Sequence, residues 1–173
     1  MARKNRVQFA GGVFHVWVRR VERWPLFKDE DDYRRYLAIL AETVQCFDWV
    51  LLSFCLMPNH VHLLVELRDA NLPNGMHSLH QRYVTYFNHK YARNGRLFEH
   101  RYESKPVQDD LYFVTVVQYI ERNPVDARLC NTPEGWPWSS RGVVAAGGCP
   151  SWLADDVLDA RRRELKDGAC PCL

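Results

Sequence analysis

Nowhere in the 173 residues does an apolar run approach the ~18 residues that a helix needs to cross a bilayer. A single hydrophobic span is therefore excluded. The stretch from Met1 to Arg6 has no apolar signal region behind it, so the expected location is the cytoplasm. No two cysteines stand in a C-x-x-C pair. The six (Cys46, Cys55, Cys130, Cys149, Cys170, Cys172) are scattered, and the expectation is reduced, mostly buried thiols. Cys149, Cys170 and Cys172 could gather a zinc ion, but Cys-x-Cys is not a usual zinc-knuckle spacing. Charge of one sign is also lacking. Lys and Arg number 23 against 21 Asp and Glu, a net +2 that is too small to argue for nucleic acid by itself. There is no internal repeat and no clear linker, so the length suits one domain with a sizeable core.

What is present is a globular composition, 47% hydrophobic and 25% charged, which argues against disorder. The distribution of charge says more than its sum. Arginine, whose planar fork suits phosphate, supplies 18 of the 23 basic residues. Between residues 82 and 105 six basic residues (Arg82, Lys90, Arg93, Arg96, Arg101, Lys105) face two acids (Glu99, Glu103), a local +4. Tyr83, Tyr86, Phe87, Tyr91, Phe98 and Tyr102 are interleaved with them. Such a mixture can hold a phosphate backbone and stack bases, although many of these rings will be core.

Along the chain, Val13 to Arg20 reads as a strand with His15 and Trp17 on one face, and Asp29 to Val44 as a helix capped by Asp29 or Asp31. Phe47 to Met57 and His60 to Leu67 read as two strands joined by a Pro58-Asn59 turn. Asp69 to Gly75 reads as a loop, Met76 to Tyr91 as a helix, and Arg96 to Val107 as irregular or short strand. Asp109 caps a third helix that Pro124 should stop at or near Asn123. A loop through Trp136-Pro137-Trp138-Ser139-Ser140 leads to a small-residue stretch ending at Gly148. A polar helix from about Asp155 to Lys166 comes last. This β-α-β-β-α-(β)-α order predicts an α+β fold, a ferredoxin-like or RRM-like antiparallel sheet with packed helices.

His60-Val61-His62 is the most informative local feature. Side chains at i and i+2 of a strand share a face, so two imidazoles can converge on one divalent metal while Val61, Leu63 and Val65 enter a core. The competing reading is a polar strand face with two solvated histidines. A histidine triad hydrolase would want a third alternating histidine, and position 64 is Leu64. A 2H phosphoesterase would need a second His-x-Thr/Ser copy, and none is found.

On the third helix Tyr119 and Asn123 stand at i and i+4, on one side. Tyr119 lies roughly 100° from the apolar stripe centred between Val117 and Ile120, a margin where a phenol can face a cleft. A boundary tyrosine with a wetted hydroxyl is the commoner fate of such a residue.

The run Met57 to Val65 is similar to the His-hydrophobic-His motif of single-tyrosine HUH transposases. Tyr119 to Leu129 resembles their nucleophile helix in the version found in REP-associated tyrosine transposases. Gly12 to Asp31, Gly95 to Arg101 and Trp136 to Ser140 fit the same group, so five stretches from about residue 10 to 145 stand in the same order. The resemblance implies an HUH-type catalytic domain over residues 1–145, with 146–173 a C-terminal extension of unknown role. It further implies a single-stranded DNA endonuclease and strand transferase acting on hairpin-bearing repeat DNA, as a monomer or a homodimer. His60, His62 and Asn123 would hold Mg²⁺ or Mn²⁺, and Tyr119 would form a 5′-phosphotyrosine. Arg82, Arg96, Arg101 and Lys105 are the expected DNA contacts. A second class of function is a transposase-derived protein that binds single-stranded DNA without cleaving it. A small-molecule phosphoesterase is disfavoured, since the arginine and aromatic surface exceeds what a small substrate requires. One departure from the group is Arg141-Gly142, where an aromatic and then a small residue are expected; it bears on packing more than on catalysis.

Overall fold

A computed structural model describes residues 8–167. Its sheet holds four antiparallel strands, β1 (Val13–Arg19), β2 (Trp49–Met57), β3 (His60–Leu67) and β4 (Glu103–Pro106), in the order β2-β3-β1-β4. With helices α1 (Glu30–Cys46) and α2 (Leu72–Lys90) in the crossovers, this is the expected α+β, ferredoxin-like arrangement. Strand alternation sends the two faces to different layers. Phe14, Val16, Val18, Val61, Leu63 and Val65 meet α1 and α2 on one side. Val13, Leu52, Cys55, Met57 and Leu64 meet α3 (Asp110–Asp126) and α5 (Asp155–Asp167) on the other. Among the described residues no helix is long and apolar enough to cross a membrane.

Two helix boundaries lie several residues from the sequence reading. Helix α2 begins at Leu72, inside the stretch expected to be a loop. Pro73 is harmless in a first turn, where its missing N–H has no partner to lose. Gly75 is required for a different reason, since a Cβ there would lie 2.2 Å from the Trp49 ring. Helix α3 runs through Pro124 to Asp126 rather than stopping near Asn123. Its end closes with Arg128 at φ 58, the Arg128 N–H donating to Val125 O (2.9 Å) and the Leu129 N–H to Pro124 O (2.9 Å). Asn123 is thereby held within the helix, in fixed phase with Tyr119.

The expected loop after Trp138 contains a short helix, α4 (Ser140–Ala145), capped by Ser139 Oγ accepting the Gly142 N–H at 3.1 Å. A Cβ on Gly142 would sit 1.9 Å from Trp136 O, so glycine answers a close approach there. Arg141 turns outward to the Glu134 carboxylate (2.9 Å).

The chain after residue 150 packs on the sheet. The Ala154 N–H donates to Leu51 O (2.9 Å), Leu158 is fully buried, and Arg162 reaches Glu121 of α3 at 2.6 Å. The thiols are less buried than expected: Cys55 is buried, Cys130 half-buried, and Cys46 and Cys149 exposed. Cys55 faces α3 from a strand interior, whereas the exposed pair sit at a helix end and in the loop before α5, where little packs over them. Cys170 and Cys172, invoked for a zinc site with Cys149, lie outside the described residues.

Candidate active site

The tight β2–β3 hairpin positions the histidines. Its Pro58-Asn59 turn is held from outside, by the Leu26 N–H to Pro58 O (2.6 Å) and the Arg20 N–H to Asn59 O (3.0 Å). His60 is half-buried, and His62 is 4% exposed. Their rings lie 4.9 Å apart and nearly perpendicular. Both project to the face that α3 covers. Tyr119, 48% exposed, sets its ring 5.3 Å from His62. Asn123, one turn on, brings Oδ1 to 3.3 Å from His60 Nε2. The packing of α3 on the sheet brings tyrosine, histidines and amide together.

Two further residues complete the cluster. His15 pairs across from Leu64 on β1, and its Nε2 stands 3.0 Å from His62 Nδ1. Asn59 Oδ1 stands 2.6 Å from His60 Nδ1. Strand alternation already put His15 and Trp17 on one face of β1. The register that sets β1 beside β3 is a long-range pairing, so the meeting of His15 with His62 was not visible. Asn59 had no signal beyond its place in the turn.

Burial keeps these imidazoles neutral. It lowers His62 well below the usual 6.5, with smaller contributions from His60, His15 and Arg19. His60 is also lowered, burial outweighing the Asn123 hydrogen bond that favours its charged form. His15 is held at about 4 by burial and by the nearby Lys105 cation. Neutral imidazoles are the form that binds a metal.

The donor set fits a divalent cation. His62 Nε2 is buried with no hydrogen-bond partner, an unmet demand of the kind that a bound ion removes. With His60 Nδ1 engaged at 2.6 Å by Asn59, His60 Nε2 stands 3.3 Å from Asn123 Oδ1, and both atoms are donors that would suit a divalent cation. Among the described residues no group of three or more His, Cys, Asp or Glu could hold a metal, so an ion here would rest on two imidazoles and an amide.

Tyr119, His62 and His15 open on a cavity of about 350 Å³ whose far wall is Trp17, Arg19 and Tyr112. Trp17 and Arg19 also line a smaller cavity with His100 and Arg101. His100 and Arg101 in turn border one of about 1020 Å³ between α2 and residues 95–102, where Arg96 forms the rim and His80 stacks on Phe98 at 4.3 Å. A surface of mixed charge, with Arg19 and Arg101 set among Glu99 and Glu103, therefore leads from Tyr119 round the β4 edge. Arg101 makes no ion pair among the described residues, while the Arg96 guanidinium donates to Glu99 O. Lys105 lies 4.2 Å from the Tyr112 ring centre, at the edge of the cleft. Arg82 is not brought to this surface, because Glu42 of α1 engages its guanidinium.

No curated protein sequence matches the chain. Among solved structures, a REP-associated tyrosine transposase bound to a REP hairpin superposes with a TM-score of 0.70 at 19% identity, over 91% of this chain and 93% of that one. A Deinococcus radiodurans R1 structure described as a transposase aligns with a TM-score of 0.46 at 20% identity, over 70% of this chain and 95% of that one. The model of the family "Transposase IS200 like" matches residues 10–123, which takes in the histidine strand, the tyrosine and the asparagine. The chain belongs to the IS200-like transposase family.

Proposed function

We propose that the chain is a divalent-cation-dependent, single-stranded DNA endonuclease and strand transferase with Tyr119 as nucleophile. The observation that carries this reading is the Tyr119 ring, open to solvent, 5.3 Å from a buried imidazole whose Nε2 has no partner. His60 and His62, with Asn123, would hold Mg²⁺ or Mn²⁺. When bound, such an ion supplies Lewis-acid charge to the scissile phosphate and to a phenol that is otherwise mostly neutral near pH 7.

The residues of the chain supply the rest. Tyr119 Oη loses its proton to solvent and attacks phosphorus, forming the Oη–P bond as the P–O3′ bond breaks and the departing O3′ takes a proton from solvent. The products are a 5′-phosphotyrosine and a strand ending in a 3′-OH. Attack by a 3′-OH on that linkage reverses the step, and no external energy source is required because the phosphodiester is conserved. Trp17 and Tyr112 offer rings for bases beside the scissile bond. Arg19, Arg101, Arg96 and Lys105 are placed for backbone phosphates of a hairpin-bearing strand. In this reading residues 1–145 would form the catalytic domain, with the segment after 150 bracing α3 through Arg162 and Glu121.

Incubation with Mg²⁺ or Mn²⁺ and a single-stranded hairpin oligonucleotide, taken from inverted repeats flanking the coding region, tests this reading. A protein–DNA adduct that survives SDS is expected. Tyr119→Phe should abolish the adduct and keep binding. An adduct in the Phe variant removes Tyr119 from the nucleophile role. Binding by the wild-type chain without any adduct favours the non-cleaving DNA-binding protein instead.

A further inference from the structure

The two histidines of the motif use their rings in the same way. Each turns Nδ1 to a polar atom of the protein, His62 to His15 Nε2 at 3.0 Å and His60 to Asn59 Oδ1 at 2.6 Å. Neither His15 nor Asn59 belongs to the His-x-His run or to the nucleophile helix.

A neutral imidazole carries one hydrogen, so each of these contacts restricts where it can sit. Asn59 Oδ1 can only accept, which puts the His60 hydrogen on Nδ1 and leaves a lone pair on Nε2. The His15–His62 contact allows two arrangements. If the His15 Nε2–H donated, the hydrogen of His62 would be forced onto its buried Nε2, where no acceptor exists. If the His62 Nδ1–H donates, Nε2 carries a lone pair, and the His15 hydrogen moves to its Nδ1 on the side where His15 lines the open cleft. The second arrangement strands no donor. It also leaves both histidines with a lone pair on Nε2, His60 Nε2 facing Asn123 Oδ1 and the His62 ring beside that of Tyr119.

We infer that His15 and Asn59 are positioning residues of this site, accepting the Nδ1 hydrogens of His62 and His60 and so holding both imidazoles in the tautomer whose Nε2 lone pairs can bind a divalent cation. The inference rests on the metal reading proposed above. Outer hydrogen bonds of this kind orient a ligand ring and raise its basicity, and their loss typically weakens metal affinity about 10- to 100-fold.

Long-range ¹H–¹⁵N correlation spectra of the metal-free full chain read the tautomers directly. Both His60 and His62 should show a protonated Nδ1 and an unprotonated Nε2. Electron paramagnetic resonance titration with Mn²⁺ alone should then give about 10- to 100-fold weaker binding for His15→Phe and for Asn59→Ala. His15→Gln, whose amide oxygen still accepts, should recover much of it, which a merely space-filling role for His15 would not require. A wild-type His62 protonated at Nε2 overturns the inference without any variant. So does a folded His15→Phe that binds Mn²⁺ as tightly as wild type. A wild-type chain that binds no Mn²⁺ overturns the metal reading and this inference together, whereas equal binding by wild type and variants overturns only the inference.

Discussion

Two polar clusters lie under opposite faces of the sheet, and they are finished differently. On the α1–α2 side, Asp32 is fully buried and every demand is met. It accepts from the Lys28 N–H (2.8 Å), the Tyr91 hydroxyl (2.8 Å), Lys90 Nζ (2.9 Å) and the Tyr86 hydroxyl (3.1 Å). On the α3 side, His62 is almost as buried, yet its Nε2 meets nothing. A closed network rigidifies the contact between helices, and here it ties the start of α1 to the end of α2. The open atom lies in a cleft beside an exposed tyrosine, which is why the proposed function assigns it a ligand.

The comparison can be broken in three ways. His60→Ala and His62→Ala should each lower cleavage by about 100-fold or more, since each removes a direct ligand of the ion. Asn123→Ala should lose less, because water can replace an amide oxygen. Metal-dependent cleavage assays on the three variants check this, and full activity of either histidine variant without added metal would sink the metal role.

Asp32→Ala should do the reverse. Removing the buried carboxylate takes an acceptor from the Lys28 N–H and the Tyr86 hydroxyl, while Lys90 and the Tyr91 hydroxyl keep Asp29, and denaturant unfolding should show a loss of about 1–3 kcal/mol. Cleavage per folded molecule should stay near wild type. A stable Asp32→Ala chain with impaired cleavage would erase the distinction between the two clusters.

The smallest effect is on pH. His15, at about 4 in the folded chain against 6.5 when exposed, takes up its proton first in the unfolded state. The stability linked to it is complete above about pH 6.5 and is lost as pH falls from there toward 4. His60 and His62, both lowered, add loss in the same direction. Unfolding midpoints measured from pH 7 to 4 should decline through this window, and more shallowly in His15→Phe.

Much of the fold was legible because it is written in local patterns. Period-two alternation marked β1 and the hairpin, and Asp29 and Asp109 announced α1 and α3 as caps, each accepting a backbone N–H three residues on. The misread stretches carry residues that usually mark loops. Gly75 and Gly142 are there because the Trp49 ring and Trp136 O leave no room for a Cβ, and Pro124 is carried by a helix whose buried face outweighs one missing hydrogen bond.

The candidate site divides along the same line. Alternation on one strand pairs His60 with His62 and helical phase on one helix pairs Tyr119 with Asn123, because residues two apart on a strand and four apart on a helix share a face whatever surrounds them, and the family resemblance supplied their expected roles. Only the tertiary structure brought His15 to His62, turned Arg82 aside to Glu42, and joined Arg19, Arg101 and Arg96 into one surface. Those outcomes depend on strand register and on how helices dock across the sheet, and they are settled by packing between segments far apart in the chain.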